Sequence, residues 1–197
     1  MERNLTYADL LVPCEKKKAL VVNAAVVIGA SWLLALSAQV SFYVPFSVVP
    51  VTAQTFAVLM IAAMLGSGRG SFAVLTYIAQ GAMGLPVFAM GKAGAWVLFG
   101  PTGGYLVGFA AAAMIVGRLA EMGWDRSVLK TAAAMTLGTL AIYTFGVFWL
   151  TVLTGSLQSA LVAGLYPFIA ACVFEVIAAV AVLPAGWKLL NKAGFGK

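Results

Sequence analysis

Long apolar runs separated by short polar or glycine-rich stretches set the pattern of this chain. Six runs stand out, at residues 19–40, 55–65, 71–88, 105–120, 131–154 and 157–190. A helix needs about 20 apolar residues to cross a bilayer, so the pattern predicts an all-α polytopic membrane protein with six transmembrane helices. The second run is short and starts nearer Val49 if extended. The sixth exceeds one crossing and is expected to tilt or to project beyond the bilayer. Three parts follow: an N-terminal segment at 1–18, a six-helix membrane domain at 19–190 and a tail at 191–197. For the first part, a surface helix over 6–12, stopped by Pro13, competes with an unordered tail.

Composition agrees with the pattern. The chain of 197 residues is 63% hydrophobic and 9% charged. A soluble domain carries about 25% charged residues. The charges then give a topology. Arg3, Lys16, Lys17 and Lys18 precede the first run, and Arg69 separates the second from the third. Arg118, Arg126 and Lys130 lie around the fourth connection, and Lys188, Lys192 and Lys197 follow the sixth. With six spans all of these fall on one side, and only Lys92 falls on the other. The positive-inside rule puts both termini in the cytoplasm. The net charge of +6 follows from this bias and does not indicate nucleic acid. Residues 16–37 imitate a signal peptide, with a basic start, an apolar run and small residues at 35–37. Five further runs follow, so an uncleaved first helix is expected.

Several chemistries are excluded. The chain has no histidine, which removes the commonest general base and metal ligand. It lacks G-x-x-x-x-G-K-[ST], so it holds no nucleotide phosphates by that loop. The GSGRGS stretch at 66–71 reads as a turn with an inward-side arginine. There is no Ser–His or paired-carboxylate arrangement, so no enzyme, metal site or cofactor is expected. The two halves show no clear repeat of the kind common in secondary transporters. Cys14 is expected in the cytoplasm and Cys172 in the membrane, too far apart to pair.

The polar residues that remain are candidates for binding. Glu175 is the one acid well inside a run, where a carboxylate is costly and normally faces a cavity or a partner. Cys172 lies one turn earlier on the same face. Thr136, Thr139 and Tyr143 form a stripe on the fifth run, read either as pocket lining or as interhelical hydrogen bonding. Gln80 and Gln54 are amides in apolar surroundings, and Gln54 sits beside Thr52 and Thr55 where the first outer loop enters the second run. Lys92 lies in a stretch with Gly91, Gly94, Trp96, Phe99, Thr102 and Tyr105. That stretch, 84–109, is too structured for a simple re-entry into the membrane and reads as a wall or lid over a pocket. Gly104-x-x-x-Gly108-x-x-x-Ala112 is a small-residue ridge for close helix packing. Ala25-x-x-x-Gly29 and Ser31-x-x-x-Ala35 are similar ridges on the first run, suited to packing within the chain or to docking a partner.

Three of these stretches resemble the BioY family, the biotin-binding S components of energy-coupling-factor transporters. VPVTAQTF at 49–56 resembles the family's entry to its second helix. Residues 84–109 resemble its G-L-P-V-F … G-P-T-G-G-Y-L-x-G-F core. Tyr166–Phe168 resembles the start of P-F-x-x-x-D-x-x-K, and the resemblance spans about 19–184. It implies six helices, a biotin site near the outer face of a bacterial plasma membrane, and docking of the first helix, here through Ala25, Gly29, Ser31 and Ala35, on a transmembrane partner driven by two ATPases. The implied ligand contacts are Gln54, Gln80, Lys92, Trp96, Thr102, Tyr105, Tyr143, Cys172 and Glu175. The chain departs from the family's pattern at two of them, since Cys172 stands at its Asp and Glu175 at its Lys. Glu175 is the expected acceptor for the ureido N–H groups of biotin and Lys92 the expected partner of its carboxylate. The rival readings are an S component for another small vitamin or acid, and a membrane assembly protein that binds no solute.

Overall fold

A computed structural model describes residues 4–13, 15–45 and 47–194. Arg3, Cys14 and Lys197, named above, lie outside the described residues. The helices are α1 (Lys16–Gln39), α2 (Gln54–Ala82), α3 (Trp96–Phe99), α4 (Gly103–Glu121), α5 (Val128–Thr154), α6 (Leu157–Gly164) and α7 (Ile169–Lys192). A two-residue hairpin, β1 (Ser41–Phe42) with β2 (Val51–Thr52), pairs antiparallel in the loop between α1 and α2. Among the described residues five stretches are long and apolar enough to cross a membrane: α1, α2, α4, α5 and Leu157–Lys192.

The second predicted span and most of the third lie in α2, which ends at Ala82 rather than at the predicted Phe88. Gly66 breaks that helix with φ 81° and ψ 176°, a conformation that only glycine adopts freely. The two arms, 54–65 and 67–82, fold back on one another. The Gln54 amide reaches the Tyr77 hydroxyl at 2.6 Å, whereas residues 23 apart on a straight helix stand about 35 Å apart. A side chain at Gly70 would meet the Ala62 backbone at 3.0 Å. The second arm starts under a cap from another helix: Glu121 of α4 accepts from the Ser67 N–H at 2.8 Å and from its hydroxyl at 2.9 Å. An acid at a helix N-terminus satisfies an otherwise unpaired donor and meets the positive end of the helix dipole. The chain therefore has the six apolar segments expected, with the second starting at Gln54 rather than near Val49.

The sixth predicted run is not one helix. It divides at Gly164 into α6, a 3-10 turn at Tyr166–Phe168 and α7. Pro167 lacks a backbone N–H and sits in the first turn of the 3-10 segment, where that loss costs least.

At the centre, α4 packs against both α2 and α5. A Cβ on Gly104 would lie 2.6 Å from the Phe145 carbonyl, and one on Gly108 would lie 2.8 Å from the Ile142 backbone. The small-residue ridge of α4 thus seats α5 within this chain. By contrast α1 packs mainly on α2 and leaves one face open.

The molecule has two distinct ends. At the charged end the N-terminal segment forms a 3-10 turn, Tyr7–Leu10, shorter than the helix over 6–12 considered above. Asp9 pairs with Arg69 at 2.7 Å, and Asn23 of α1 accepts from the same guanidinium at 2.8 Å. Arg126 donates to the Leu5 carbonyl at 3.0 Å and lies 4.3 Å from the centre of the Trp187 ring. Tyr7 donates to the Leu183 carbonyl at 2.5 Å, and the Trp187 indole N–H donates to Asp125. Burial would raise the Asp9 carboxyl, but the Thr6 backbone N–H, Arg69 and the Thr6 hydroxyl together hold it below its ordinary value. Burial pushes Tyr7 up to about 12, with the Asp125 charge adding to the effect. Burial also raises Asp125, against the opposing pull of Trp187 and Arg126. The opposite end carries the β hairpin, α3, α6 and Lys92.

Candidate functional site

Where the polar residues of the apolar runs meet the ends of the helices, the structure opens a cavity. It holds about 600 Å³ of empty space, part of it open to the outside. Each wall follows from local sequence. Thr52 ends β2, accepts from the Gln54 N–H at 3.2 Å, and donates to the Gln54 side chain at 3.4 Å. Gln54, at the first turn of α2, is thereby aimed inward and closes onto Tyr77 of the returning arm. Phe88 lies edge-on to Tyr77 with ring centres 5.6 Å apart. It occupies the space a side chain at Gly81 would need, since a Cβ there would stand 2.2 Å from its ring.

The stretch at 84–109 is a wall, as expected from its glycines and prolines. The Gly94 N–H donates to the Gly81 carbonyl at 2.7 Å, and Gly94 has φ 97°. This brings Lys92 and Val97 to the cavity. Lys92 as a residue is half-buried, and its ammonium reaches the Tyr43 hydroxyl at 3.4 Å in an exposed contact. Behind it an aromatic group closes the floor. Tyr105 and Tyr143 meet edge-on at 6.0 Å, and Phe168 lies 6.5 Å from Tyr105 and 5.8 Å from Tyr143. The Tyr105 hydroxyl is fixed on the Gly164 carbonyl at 2.7 Å, which is where the break between α6 and α7 matters.

Gln54, Lys92, Thr102, Tyr105 and Tyr143 all line this cavity. Four other candidates do not. Gln80 donates to the Ser31 hydroxyl at 3.2 Å and so ties α2 to α1. Trp96 is 64% exposed and turned away. Cys172 lies with Thr136 and Thr139 in a groove between α5 and α7. Glu175 is 9% exposed, yet it lies behind the floor rather than on it. Its carboxyl faces the Phe56 backbone N–H at the first turn of α2, and its Oε2 has no hydrogen-bond partner. The expectation was that Glu175 reaches the ligand; the structure does not place it among the residues that line the cavity. Helical spacing put it on the same face as Cys172, but α7 turns that face toward α5 and the start of α2.

Tyr77 and Phe109 line the cavity and were not singled out from sequence, nor was Phe88 as a lining residue. Tyr77 had a signal, since it is a hydroxyl in an apolar run like Tyr143. The two phenylalanines had none. Of the first-helix ridges, Ser31 is fully buried and Ala35 is 5% exposed, both against α2. Ala25 and Gly29 are exposed, and a Cβ on Gly29 would meet nothing within 4 Å.

Three comparisons bear on this geometry. The model of the BioY family matches residues 12–192. A biotin transporter BioY of Thermotoga maritima is 41% identical over 152 residues, covering 77% of this chain and 83% of the relative. A biotin transporter BioY2 of Lactococcus lactis is 36% identical over 170 residues, covering 84% and 88%. The fold matches the crystal structure of the S-component for biotin from an ECF-type ABC transporter with a TM-score of 0.75 at 20% identity, covering 90% of this chain and 95% of that one.

Proposed function

The chain belongs to the BioY family, and from that premise we infer that it is the biotin-binding membrane subunit of an uptake system. It captures biotin in the cavity and delivers it inward with an energy-coupling partner. It is a transport protein and not an enzyme. The observation that carries the ligand over to this chain is the cavity's division into an apolar floor and polar edges. Biotin has a matching division: a thioether ring, a ureido group with two N–H donors and one carbonyl, and a carboxylate on a flexible chain. Phe109, Phe168 and Val97 suit the ring. Gln54, held by Thr52 and Tyr77, offers both an acceptor and a donor for the ureido group. Lys92 at the rim suits the carboxylate. Glu175 supports the first turn of α2 from behind and makes no ligand contact in this reading.

The remaining parts follow from charge and from what the chain lacks. The charged end faces the cytoplasm and the cavity end faces out, because the basic residues gather at one end. The membrane is the bacterial plasma membrane. Without a nucleotide loop, the energy comes from two ATPases acting through a transmembrane subunit. Ala25 and Gly29 on the open face of α1 are its docking positions, while Ser31 and Ala35 hold α1 to α2. Native mass spectrometry of the purified chain tests the ligand. Retained biotin is the expected result, and a chain that neither retains nor binds biotin would refute the reading. Thiol labelling of a cysteine placed at position 126 tests the orientation, and reaction with an impermeant reagent in intact cells would reverse it.

A further inference from the structure

The last residue of α1 is an amide that grips the cavity wall. The Gln39 Nε2 lies 3.4 Å from the Val87 carbonyl, 3.2 Å from the Phe88 carbonyl and 3.2 Å from the Ala35 carbonyl of its own helix, so its two N–H groups are shared among three acceptors. Its Oε1 accepts from the Gly91 N–H at 3.2 Å. The amide orientation is fixed by these partners, since carbonyls need the NH₂ and the N–H needs the oxygen. One side chain thus holds both limbs of the 87–92 segment. This segment presents Phe88, Ala89 and Lys92 to the cavity. Its own hydrogen bonds are few: Phe88 N–H to the Lys92 carbonyl at 3.1 Å, Gly91 N–H to Phe88 at 3.1 Å, and Lys92 N–H to Ala89 at 3.4 Å. Met90 within it has φ 62°, a left-handed conformation costly for a side chain of its size. A short segment with weak internal bonds and a strained residue depends on outside ties for its position. Ser41 and Tyr43, just beyond α1, add one contact each, to Met90 and Lys92. On the inner side Val87, Phe88 and Ala89 are buried, with Phe88 packed against Tyr77 and Gly81, so the outer limb at 90–92 is the part that relies on the polar ties.

We propose that Gln39 is a positioning residue for ligand retention: through its amide, α1 holds the 87–92 wall segment closed over the cavity, so that a shift of α1 is transmitted to the wall. The ligand named in its test rests on the biotin reading above, but the grip itself does not. Gln39 touches no cavity surface. Its removal should therefore act on dissociation, as most changes in affinity among related complexes do. Losing hydrogen bonds to two carbonyls and one N–H should speed biotin release by about 10-fold.

The test uses the full chain in lipid nanodiscs, with Gln39→Ala and Gln39→Glu. The glutamate keeps an acceptor for Gly91 but sets a carboxylate against two carbonyls. Biotin dissociation is followed by chase, association by stopped flow, and amide exchange by mass spectrometry without ligand. Both variants should release biotin faster with little change in association. Exchange should rise within 87–92 and not along α1, and the thermal midpoint should hold. In a Lys92→Ala background the effect of Gln39→Ala should shrink, because both act through one segment. Unchanged dissociation with unchanged exchange overturns the proposal. So does a rise in exchange throughout α1 with a lowered midpoint, which marks an ordinary fold contact. If the parent holds no biotin, the ligand reading fails, and the exchange comparison alone decides whether Gln39 holds the wall.

Discussion

Replacing Lys92 with alanine should weaken biotin binding by about 10-fold and leave binding of biotin's primary amide nearly unchanged. The ammonium lines the cavity rim, and its one hydrogen bond, to Tyr43, is long at 3.4 Å. The ion pairs seen among the described residues include Lys18 with Glu15 and Arg69 with Asp9, and none of those seen engages Lys92. A hydrogen bond to a charged group is worth about 1.5–3 kcal/mol net. Lys92 is half-buried, so solvent screening favours the low end of that range. About 1.5 kcal/mol corresponds to about 10-fold at ~1.4 kcal/mol per decade. Calorimetry with both ligands at two salt concentrations reads the effect. The parent should prefer the acid over the amide, and that preference should narrow as salt rises. The variant should show neither. If Lys92→Ala binds biotin as tightly as the parent, the lysine is a solvated loop residue. Neutral donors such as Gln54 and Thr102 would then hold the carboxylate.

Three other outcomes follow from the fold. Gly66→Ala places a Cβ 2.7 Å from the Glu121 Oε1 at φ 81°, so strain and the damaged cap together should cost about 3 kcal/mol, read by thermal unfolding in detergent. A midpoint equal to the parent's would contradict the fold-back at Gly66. Asp125 has a raised folded pKa, so its ionised form penalises folding above the ordinary carboxylate value of about 4. Stability should therefore rise as pH falls through the raised folded value toward about 4, and Asp125→Asn should remove that rise. A parent and variant with the same pH profile over this window would show that burial does not govern this carboxyl. Gly29→Leu should abolish uptake while leaving biotin binding intact, because the position is open and remote from the cavity. Equal loss of binding would make it a packing position.

The parts legible in the sequence were those that add up along the chain. Apolar run length gave the six segments, and the placement of lysines and arginines gave two ends that the structure keeps apart. Gln54, Lys92, Thr102 and Tyr105 were legible for a related reason. Each stands at the boundary of an apolar run, where the backbone must turn, and the turn chemistry there fixes which way the side chain points. Polar residues inside a run carry no such information. Tyr143, Gln80, Cys172 and Glu175 look alike on a helical wheel, yet only Tyr143 faces the cavity. Which face of a helix is inward depends on neighbours far away in sequence. For α7 that choice is made by the break at Gly164 and Pro167, which the continuous apolar run of 157–190 conceals.

The two ends are held together by different means, and this bears on how such a molecule can release what it binds. At the charged end side chains cross between elements: Glu121 to Ser67, Asp9 to Arg69, Arg126 to the Leu5 carbonyl and Trp187 to Asp125. Apart from the exposed Arg126 contact, breaking one of these leaves a buried or half-buried polar group unpaired, which costs more than the bond itself is worth. That end should move as a unit. At the cavity end the floor is held by ring packing and by Tyr105 on Gly164, whereas the 87–92 wall hangs from Gln39, Ser41, Tyr43 and the Phe88 ring. Local opening occurs where buried contacts are few and backbone bonds are exposed. The wall is buried at Val87, Phe88 and Ala89 but exposed at Met90 and Gly91, with few backbone bonds of its own, so its outer limb is the weaker part of this end. Its main tether ends on α1, the helix with an open face. A partner that pulls α1 away from α2 would then loosen the wall before it disturbs any crossed pair at the far end.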